Sequence, residues 1–357
     1  METMVNMEDL ARFYRGKKVL ITGHTGFKGS WLSQILIMFG ADTIGYSLQA
    51  PTTPNLFELL GLENKMTSII GDVRDKEHLM DVFKKYQPEI VFHLAAQPIV
   101  RDSYKDPHYT YETNVMGTVN LLECIRLVPS IKSFLNVTTD KVYENNDKVN
   151  HPFKEDEKLD GSDPYSNSKS CSEIITHSYY KSFLKDMNIA VSTARAGNVI
   201  GGGDFSNDRI IPDCVRSLIN KTSTYIRHPH SIRPYQHVLE PLYCYLTIAA
   251  AQYEHHSLSS SYNIGPDKRD CVNTLTLVNY FASHFLDFHY SIINDRGPHE
   301  AAFLMLDNTK IKSAFGWKPK LNIADAIRLT CDWTKAYLDN EDVSNIVKQQ
   351  INYFFNL

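Results

Sequence analysis

The run Lys18-Val-Leu-Ile-Thr-Gly-His-Thr-Gly-Phe-Lys-Gly29 decides how the rest of the chain is read. Lys18 to Thr22 is a short run dominated by Val, Leu and Ile, and it predicts a buried strand. From Trp31 to Phe39 the apolar positions change to helical spacing. Leu32, Ile35, Leu36 and Phe39 share one face, and Gly40 is placed to stop the helix. Between strand and helix lies Gly23-His-Thr-Gly26-Phe-Lys-Gly29. A glycine-rich turn there lets the backbone approach a pyrophosphate, which then meets the positive end of the helix. Gly23, Thr25, Gly26, Phe27 and Gly29 are therefore candidate cofactor-binding residues. An isolated glycine triplet is an ordinary tight turn; the strand before this one and the helix after it give it meaning. Its spacing is GxxGxxG, not the GxGxxG of the simplest dinucleotide fingerprint.

Strand-like runs recur at Thr43 to Leu48, Thr67 to Ile70, Ile90 to Leu94, Phe134 to Thr138 and Ile189 to Ala194. Helical patterns fall between them, near Lys76 to Tyr86, Tyr111 to Leu127 and Tyr165 to Leu184. This alternation predicts an α/β fold with a doubly wound, parallel Rossmann sheet. After about residue 196 the pattern loosens into loops rich in Gly, Asn, Arg and Pro, followed by amphipathic helices around Leu275 to Phe285 and Ile323 to Tyr337. At 357 residues the chain has room for a second, smaller unit. The expected division is a cofactor-binding domain over 12–195, joined by 235–262, and an interleaved C-terminal substrate domain over 196–234 and 263–340.

Bulk composition narrows the function classes. With 43% hydrophobic and 22% charged residues and a formal net charge of −4, nothing pulls the chain toward nucleic acid or anionic membrane. The cysteines at 124, 171, 214, 244, 271 and 331 form no CxxC and no short His/Cys pairing, so reduced thiols are expected, not a disulfide frame or zinc site. The first residues carry Glu and Asp without an apolar run, and Trp31 to Phe39 is far too short to span a bilayer. A cytoplasmic protein without metal is expected. His255-His256 reads as a solvated loop.

A carboxylate at the end of the second strand usually grips the adenosine ribose of a dinucleotide. Here that stretch is Gly45-Tyr-Ser-Leu-Gln-Ala50, with neither acid nor base, and Asp42 precedes the strand. NAD is favoured over NADP because no basic pocket for a 2′-phosphate is visible. Asp72, with Val73, is a candidate for the adenine edge, although a turn cap is the competing reading.

The chemistry concentrates in Val137-Thr-Thr-Asp-Lys-Val-Tyr143 and in Tyr165-Ser-Asn-Ser-Lys169. Asp163-Pro164 caps and opens the second helix, and four-residue spacing puts Tyr165 and Lys169 on one face. A tyrosine acting as base near neutral pH must lose about three units from a value near 10, roughly 4 kcal/mol. The Lys169 ammonium and a nicotinamide ring would supply that, while Thr139 holds the same substrate hydroxyl. Alone, such a Tyr/Lys pair on a helix is commonly decorative. Asp140 and Lys141 exceed what hydride transfer needs. An acid and a base beside a redox pair suit elimination of water, provided Lys141 is neutral in the working state. A local ion pair at a strand end is the plainer alternative.

Together these residues resemble the extended short-chain dehydrogenase/reductase family, the NAD-dependent epimerases and dehydratases of nucleotide sugars. The glycine loop, Leu94-Ala-Ala-Gln-Pro98 with Val100-Arg101, Asn114, Thr138-Thr-Asp-Lys-Val-Tyr-Glu-Asn145, Asp163-Pro-Tyr-Ser166, Arg233-Pro-Tyr-Gln-His-Val-Leu-Glu-Pro241 and His299-Glu-Ala301 carry the likeness across about residues 12 to 337. Within the family they are similar to the 4,6-dehydratases that act on CDP-glucose. The resemblance implies C4 oxidation with Tyr165 as base, loss of water across C5 and C6 with Asp140 and Lys141 as the proton-transfer pair, and hydride return to C6. It adds Leu94, Ala95, Ala96, Gln97, Asn114 and Thr138 to the cofactor set. It implies Arg101, Asn198, Arg209, Arg233 and His237 on the nucleotide sugar, with His237 equally readable as packing. It also implies a homodimer or homotetramer built on the helices near 111–127 and 165–184. The stretch Asn146 to Leu159 departs from the family pattern by lacking a Trp-Gly element, and Asp160-Gly-Ser162 replaces a more glycine-rich approach to Asp163.

Overall fold

The computed structural model describes residues 6–146, 150–293 and 301–357. His299 and Glu300 lie outside them. The central sheet has strands β1 (Lys18–Thr22), β2 (Asp42–Ser47), β3 (Thr67–Ile70), β4 (Ile90–His93), β5 (Ser133–Thr139) and β6 (Ala190–Ala196). Four short strands follow, β7 (Val199–Ile200), β8 (Thr224–Ile226), β9 (Ile232–Arg233) and β10 (Gln236–His237). Then come β11 (Ser261–Ile264), β12 (Val272–Asn273) and β13 (Tyr290–Ile292). Seven of these form one sheet in the order β11-β6-β5-β4-β1-β2-β3, with every pairing parallel. The winding direction reverses between β1 and β4, and the carboxyl ends of those two strands open a crevice where α/β sheets bind ligands.

The helices are α1 (Met7–Tyr14), α2 (Phe27–Met38), α3 (Leu56–Leu59), α4 (Lys76–Tyr86), α5 (Val100–Lys105), α6 (Pro107–Tyr111) and α7 (Gly117–Leu127). They continue with α8 (Pro164–Tyr179), α9 (Ile210–Asn220), α10 (Leu239–Glu254), α11 (Thr274–Ala282), α12 (Thr309–Phe315), α13 (Ile323–Leu338) and α14 (Val343–Asn356). Alternating strand residues feed cores on both faces of the sheet. Val19 and Ile21 join a core with α2, α10 and α14, whereas Leu20 joins one with α4 and α7. Covered on both sides, the strands read as continuous apolar runs.

Two local features bear on the site. α2 is not amphipathic as its spacing suggested: Gly29 through Leu36 are all buried, because α1, α10 and α14 surround it. Trp31 on α2 donates its indole N–H to the Gly202 carbonyl at 3.0 Å, tying the helix to the loop after β7. Between α6 and α7 the chain passes through one π-helical stretch, Glu112–Met116. Such wide turns re-aim side chains, often at functional sites, and this one carries the buried Asn114.

Away from the sheet, α9, α11, α13 and β8 enclose a third core around Ile211, Cys214, Ile226, Phe281 and Ile327. A small fourth cluster joins Val142 and Tyr143, just after Asp140-Lys141, to Phe153, Leu304 and Leu306. Phe153 stacks on Tyr143 at 4.9 Å and exchanges backbone bonds with the 305–307 segment. Residues of the stretch that departs from the family pattern thus pack against the turn that carries Asp140. The cysteines at all six positions are free thiols. Among the described residues no helix is long and apolar enough to cross a membrane, and no His/Cys/Asp/Glu group is arranged to hold a metal.

Candidate active site

Two glycines of the loop after β1 are required by space. Gly23 has φ +78, and a Cβ there would sit 2.7 Å from the Ala95 nitrogen and 2.9 Å from the Leu94 carbonyl carbon. A Cβ on Gly29 would lie 2.1 Å from the Gly23 oxygen. The loop therefore passes close to the end of β4 while α2 starts directly against it. Gly26 is the N-cap of α2, with no side-chain cap and no acid in the first turn. This is an anion cradle at a helix N-terminus, at the switch point of the sheet. It fits the pyrophosphate of a dinucleotide.

The other cofactor candidates divide by what their side chains touch. Thr25 binds Ser47 and the Leu48 carbonyl, both at 2.9 Å, fixing the loop to the end of β2. Asp42 sits at the opposite end of β2. Phe27 approaches Gly201. Asp72 ends the β3 region; partial burial pushes its carboxyl up, but bonds from Arg74 outweigh that and hold it below its ordinary value. Val73 faces the core, against Gly117. Asn114 clamps the Gln97 peptide from both sides, at 2.8 and 3.1 Å, and reaches Ser168, next to Lys169, at 2.9 Å. The Gln97 amide is spent on Ile99 and Thr110, so it shapes the loop that carries Ala95 and Ala96. Thr138 turns its hydroxyl to Glu173.

A cavity of about 320 Å³ lies over the ends of β5 and β6, within the size range of small-ligand sites. Thr139 closes β5, and Asp140–Val142 make one tight turn. Thr139 donates to Asp140 Oδ1 at 3.0 Å. Asp140 is 1% exposed, and its Oδ2 has no hydrogen-bond partner. The Lys141 ammonium is 3.9 Å from Oδ1, so the local ion pair is present but long, and Lys141 is 32% exposed and lines the cavity. Gly197 stands opposite; a Cβ there would come within 3.0 Å of Oδ2.

α8 begins at Pro164, with Asp163 accepting from the Ser166 N–H at 2.9 Å, and this cap sets Tyr165 at the cavity wall. Burial pushes the Tyr165 phenol up to about 12, against the help of a hydrogen bond with Thr139 and the charge of Arg209. Lys169 is 4% exposed and donates to the Val137 carbonyl at 3.1 Å. Burial pushes its ammonium down to about 8, with Glu173 opposing. Without cofactor, then, Tyr165 is a protonated phenol.

Of the substrate candidates, Arg101, Asn198, Arg209 and Arg233 line the cavity. Asn198 Oδ1 is buried without a partner, and Arg209 binds the buried Asp204 at 3.0 Å. Arg101 and Arg227 converge on Asp208, at 3.8 and 2.6 Å. His237 is not brought to the cavity. It is fully buried, packs edge-on to Trp31 at 5.9 Å, and burial pushes it down to about 3. Lys28, which the sequence reading passed over, does line the cavity. Burial, then Arg209, pushes its ammonium down to about 7, with Asp140 opposing. A lysine in the first turn of a helix runs against the helix dipole, and that signal was visible in the sequence.

A model of the GDP-mannose 4,6 dehydratase family matches residues 20–330. The chain is also 43% identical to the CDP-glucose 4,6-dehydratase of Salmonella typhimurium, over 96% of this chain and 98% of that one. The chain belongs to this nucleotide-sugar dehydratase family. The chain is also similar to the CDP-paratose 2-epimerase of Salmonella typhi, 26% identical over 89% of this chain and 99% of the other. Among solved structures, the dTDP-glucose 4,6-dehydratase of Bacillus anthracis in complex with NAD superposes with a TM-score of 0.73 at 22% identity, covering 92% of this chain and 100% of that one. An epimerase from Methanothermobacter thermautotrophicus gives 0.80 at 22% identity, over 94% and 96%. Those two likenesses establish the fold.

Proposed function

We propose that the protein is an NAD-dependent dehydratase that converts CDP-glucose to CDP-4-dehydro-6-deoxyglucose. One observation carries this reading: the buried Asp140 carboxylate, with one oxygen unpartnered, stands beside Lys141 in the same cavity as Tyr165, with the buried Lys169 one helical turn behind the phenol. A simple oxidation or a 4-epimerisation leaves that carboxylate without a task. The 43% identical relative supports CDP-glucose as the substrate.

The Gly23–Gly29 cradle and the uncapped end of α2 would hold NAD. The chemistry supplied by bound NAD is hydride acceptance from C4 and hydride return to C6. Tyr165 takes the C4 hydroxyl proton, with Thr139 holding the same oxygen. Its phenol must come down from about 12 to do so; the Lys169 ammonium on the same helix face favours the phenolate. The C4 ketone acidifies C5. Asp140 and Lys141 then move the protons of the elimination, one leaving C5 and one reaching the departing C6 hydroxyl, and water is lost. Hydride return to C6 is matched by a proton given back to C5, so the protons taken from the C4 hydroxyl and from C5 balance those delivered. Arg101, Arg209 and Arg233 suit the diphosphate, because guanidinium presents a planar fork to phosphate oxygens, and the unpartnered Asn198 Oδ1 is an acceptor for a sugar or ribose hydroxyl.

The test is incubation with NAD and CDP-, dTDP-, GDP- or UDP-glucose, followed by mass and NMR analysis. The expected product is a 4-keto-6-deoxy sugar nucleotide, lighter than its donor by the mass of one water and formed fastest from the CDP donor. A C4 epimer in place of this product, or faster turnover of another donor, overturns the respective half of the proposal.

We further propose a homodimer through α7 and α8. These neighbouring helices leave Leu127 and Ile174 more than half exposed, and Met116 and Phe183 stand exposed on the π-helical stretches adjoining them, Glu112–Met116 before α7 and Tyr180–Leu184 after α8. Sedimentation of the purified protein checks it.

A further inference from the structure

Tyr165 and Lys169 are followed, at the same four-residue spacing on α8, by Glu173. It is 2% exposed and does not line the cavity. Its two oxygens nonetheless receive four donors. Oε1 accepts from the Thr138 hydroxyl and from Arg195 Nε at 3.1 Å; Oε2 accepts from the Thr193 hydroxyl at 2.6 Å and from Arg195 Nη2 at 3.0 Å. Arg195 is equally buried. Its remaining Nη1 donates to the Tyr143 hydroxyl at 2.8 Å and to the Glu155 carbonyl at 3.0 Å, and Tyr143 donates onward to Asn263 at 2.6 Å.

One ion pair therefore touches every segment that carries the chemistry. It holds α8, with Tyr165 and Lys169. It holds β5 through Thr138, next to Thr139. Through Tyr143 it holds the turn that presents Asp140 and Lys141. We propose that Glu173, braced by Arg195, is a positioning residue for the reaction: it keeps the buried Lys169 ammonium charged and fixes the redox pair against the proton-transfer pair. This rests on the dehydratase reading above.

Stability alone gives no reason for such a pair. Taking two charges out of water costs about as much as their attraction returns, and well-packed apolar residues commonly serve as well. Lys169 supplies the reason. It is 4% exposed, and its bond to the Val137 carbonyl offers no charge. Around it stand Lys28 on α2, His93 on β4, and Tyr165 and Glu173 on α8, with Arg195 on β6 behind Glu173 and Asp140 on the turn acting on Lys28. Lys28 repels it, and His93 is neutral, pushed down to about 3 by burial. Glu173 is the neighbour that works to keep the proton on Lys169. If the carboxylate goes, the ammonium loses its counter-charge, and with it the influence that draws Tyr165 toward phenolate.

The experiment compares native protein with Glu173→Gln, Glu173→Asp and the double variant Glu173→Gln/Arg195→Met, which leaves no charge stranded should the single variant not fold. Two quantities are read against pH: kcat for dehydration of CDP-glucose, and the side-chain NMR shift of Lys169 in NAD-free protein, assigned with Lys169→Arg. In the charge-removing variants the alkaline limb of kcat and the Lys169 titration both move to lower pH by about one unit or more, which is about a tenfold loss of rate above the limb. Glu173→Asp restores the limb toward the native position. A folded charge-removing variant whose Lys169 titrates where the native one does overturns the proposal, as does a uniform rate loss with an unmoved limb. If native protein turns over no nucleotide sugar, the dehydratase reading fails, and the NMR titration still decides the role of Glu173.

Discussion

Replacing Asp140 by Asn separates the two halves of the reaction. Asn keeps the shape, and its amide oxygen still accepts from Thr139 where Oδ1 now does so at 3.0 Å. The oxygen without a partner becomes an NH₂ beside Gly197, so the chemistry changes at one atom. Proton transfer by a positioned group contributes about 10²- to 10⁴-fold, or about 3 to 5.5 kcal/mol of barrier. Dehydration should fall by that factor. Oxidation at C4 uses Tyr165, Lys169 and Thr139 and should survive within a few-fold. In a single turnover with NAD and CDP-glucose, absorbance of reduced nicotinamide then rises and persists, whereas in native protein it is transient. The thermal midpoint should not drop, because a neutral amide is cheaper to bury than a 1% exposed carboxylate with an unsatisfied oxygen. Product formation within threefold of the native rate refutes the assignment. Equal loss of oxidation and dehydration refutes the division of labour.

Gly29→Ala places a methyl 2.1 Å from the Gly23 oxygen and 2.7 Å from His24 Cα, backbone atoms that cannot turn aside. We expect a stability loss of about 1–3 kcal/mol from overpacking and NAD affinity weaker by more than tenfold, read by thermal melting and by NAD titration. Burial pushes His237 down to about 3 from an unfolded value of 6.5, so between those values the unfolded chain binds the extra proton, and stability is lost as pH falls. From pH 7 to pH 5 this residue alone costs about 2 kcal/mol; His237→Phe should shrink the drop in chemical-denaturation stability over that range, and an unchanged drop contradicts the buried, neutral state. Ile174→Asp, on an exposed apolar position of α8, should halve the sedimenting mass without lowering helix content by circular dichroism; an unchanged mass removes α8 from the interface.

The sheet was readable because its strands are short apolar runs separated by helical spacing. Thr67–Ile70 and Lys76–Tyr86 appear where periodicity places them. What escaped reading did so for physical reasons. α10 has 14 buried residues from Leu239 to Gln252, and a helix wrapped on all sides has no polar face to mark its period. The same burial hides the character of α2. At the site, Tyr165, Lys169, Thr139 and Asp140 could be found because fixed spacing on a helix or after a strand forces them together. Glu173 could have been found by extending that spacing one turn. Its partner Arg195 could not, because β6 meets β5 only in three dimensions, with Arg195 opposite Thr138. His237 stayed open between contact and packing for the reverse reason: its string also carries the cavity-lining Arg233, and only the structure shows its own side chain packed edge-on to Trp31 in the core.

The cavity's charges follow one arrangement. Cations are held by acids at its rim and middle: Arg209 by Asp204, and Arg101 and Arg227 by Asp208. An arriving diphosphate brings the charge those acids now supply, so it exchanges partners for the guanidinium groups without leaving any of them stranded at either stage. Deeper in, Lys28 and Lys169 are both buried and both pushed down, to about 7 and about 8. There the carboxylates are Asp140, half satisfied, and Glu173, fully satisfied. The difference in satisfaction sorts their tasks. A carboxylate whose two oxygens take four donors is fixed in place and suits positioning; one whose second oxygen has no partner, on a residue that lines the cavity, keeps an acceptor site open for the reaction.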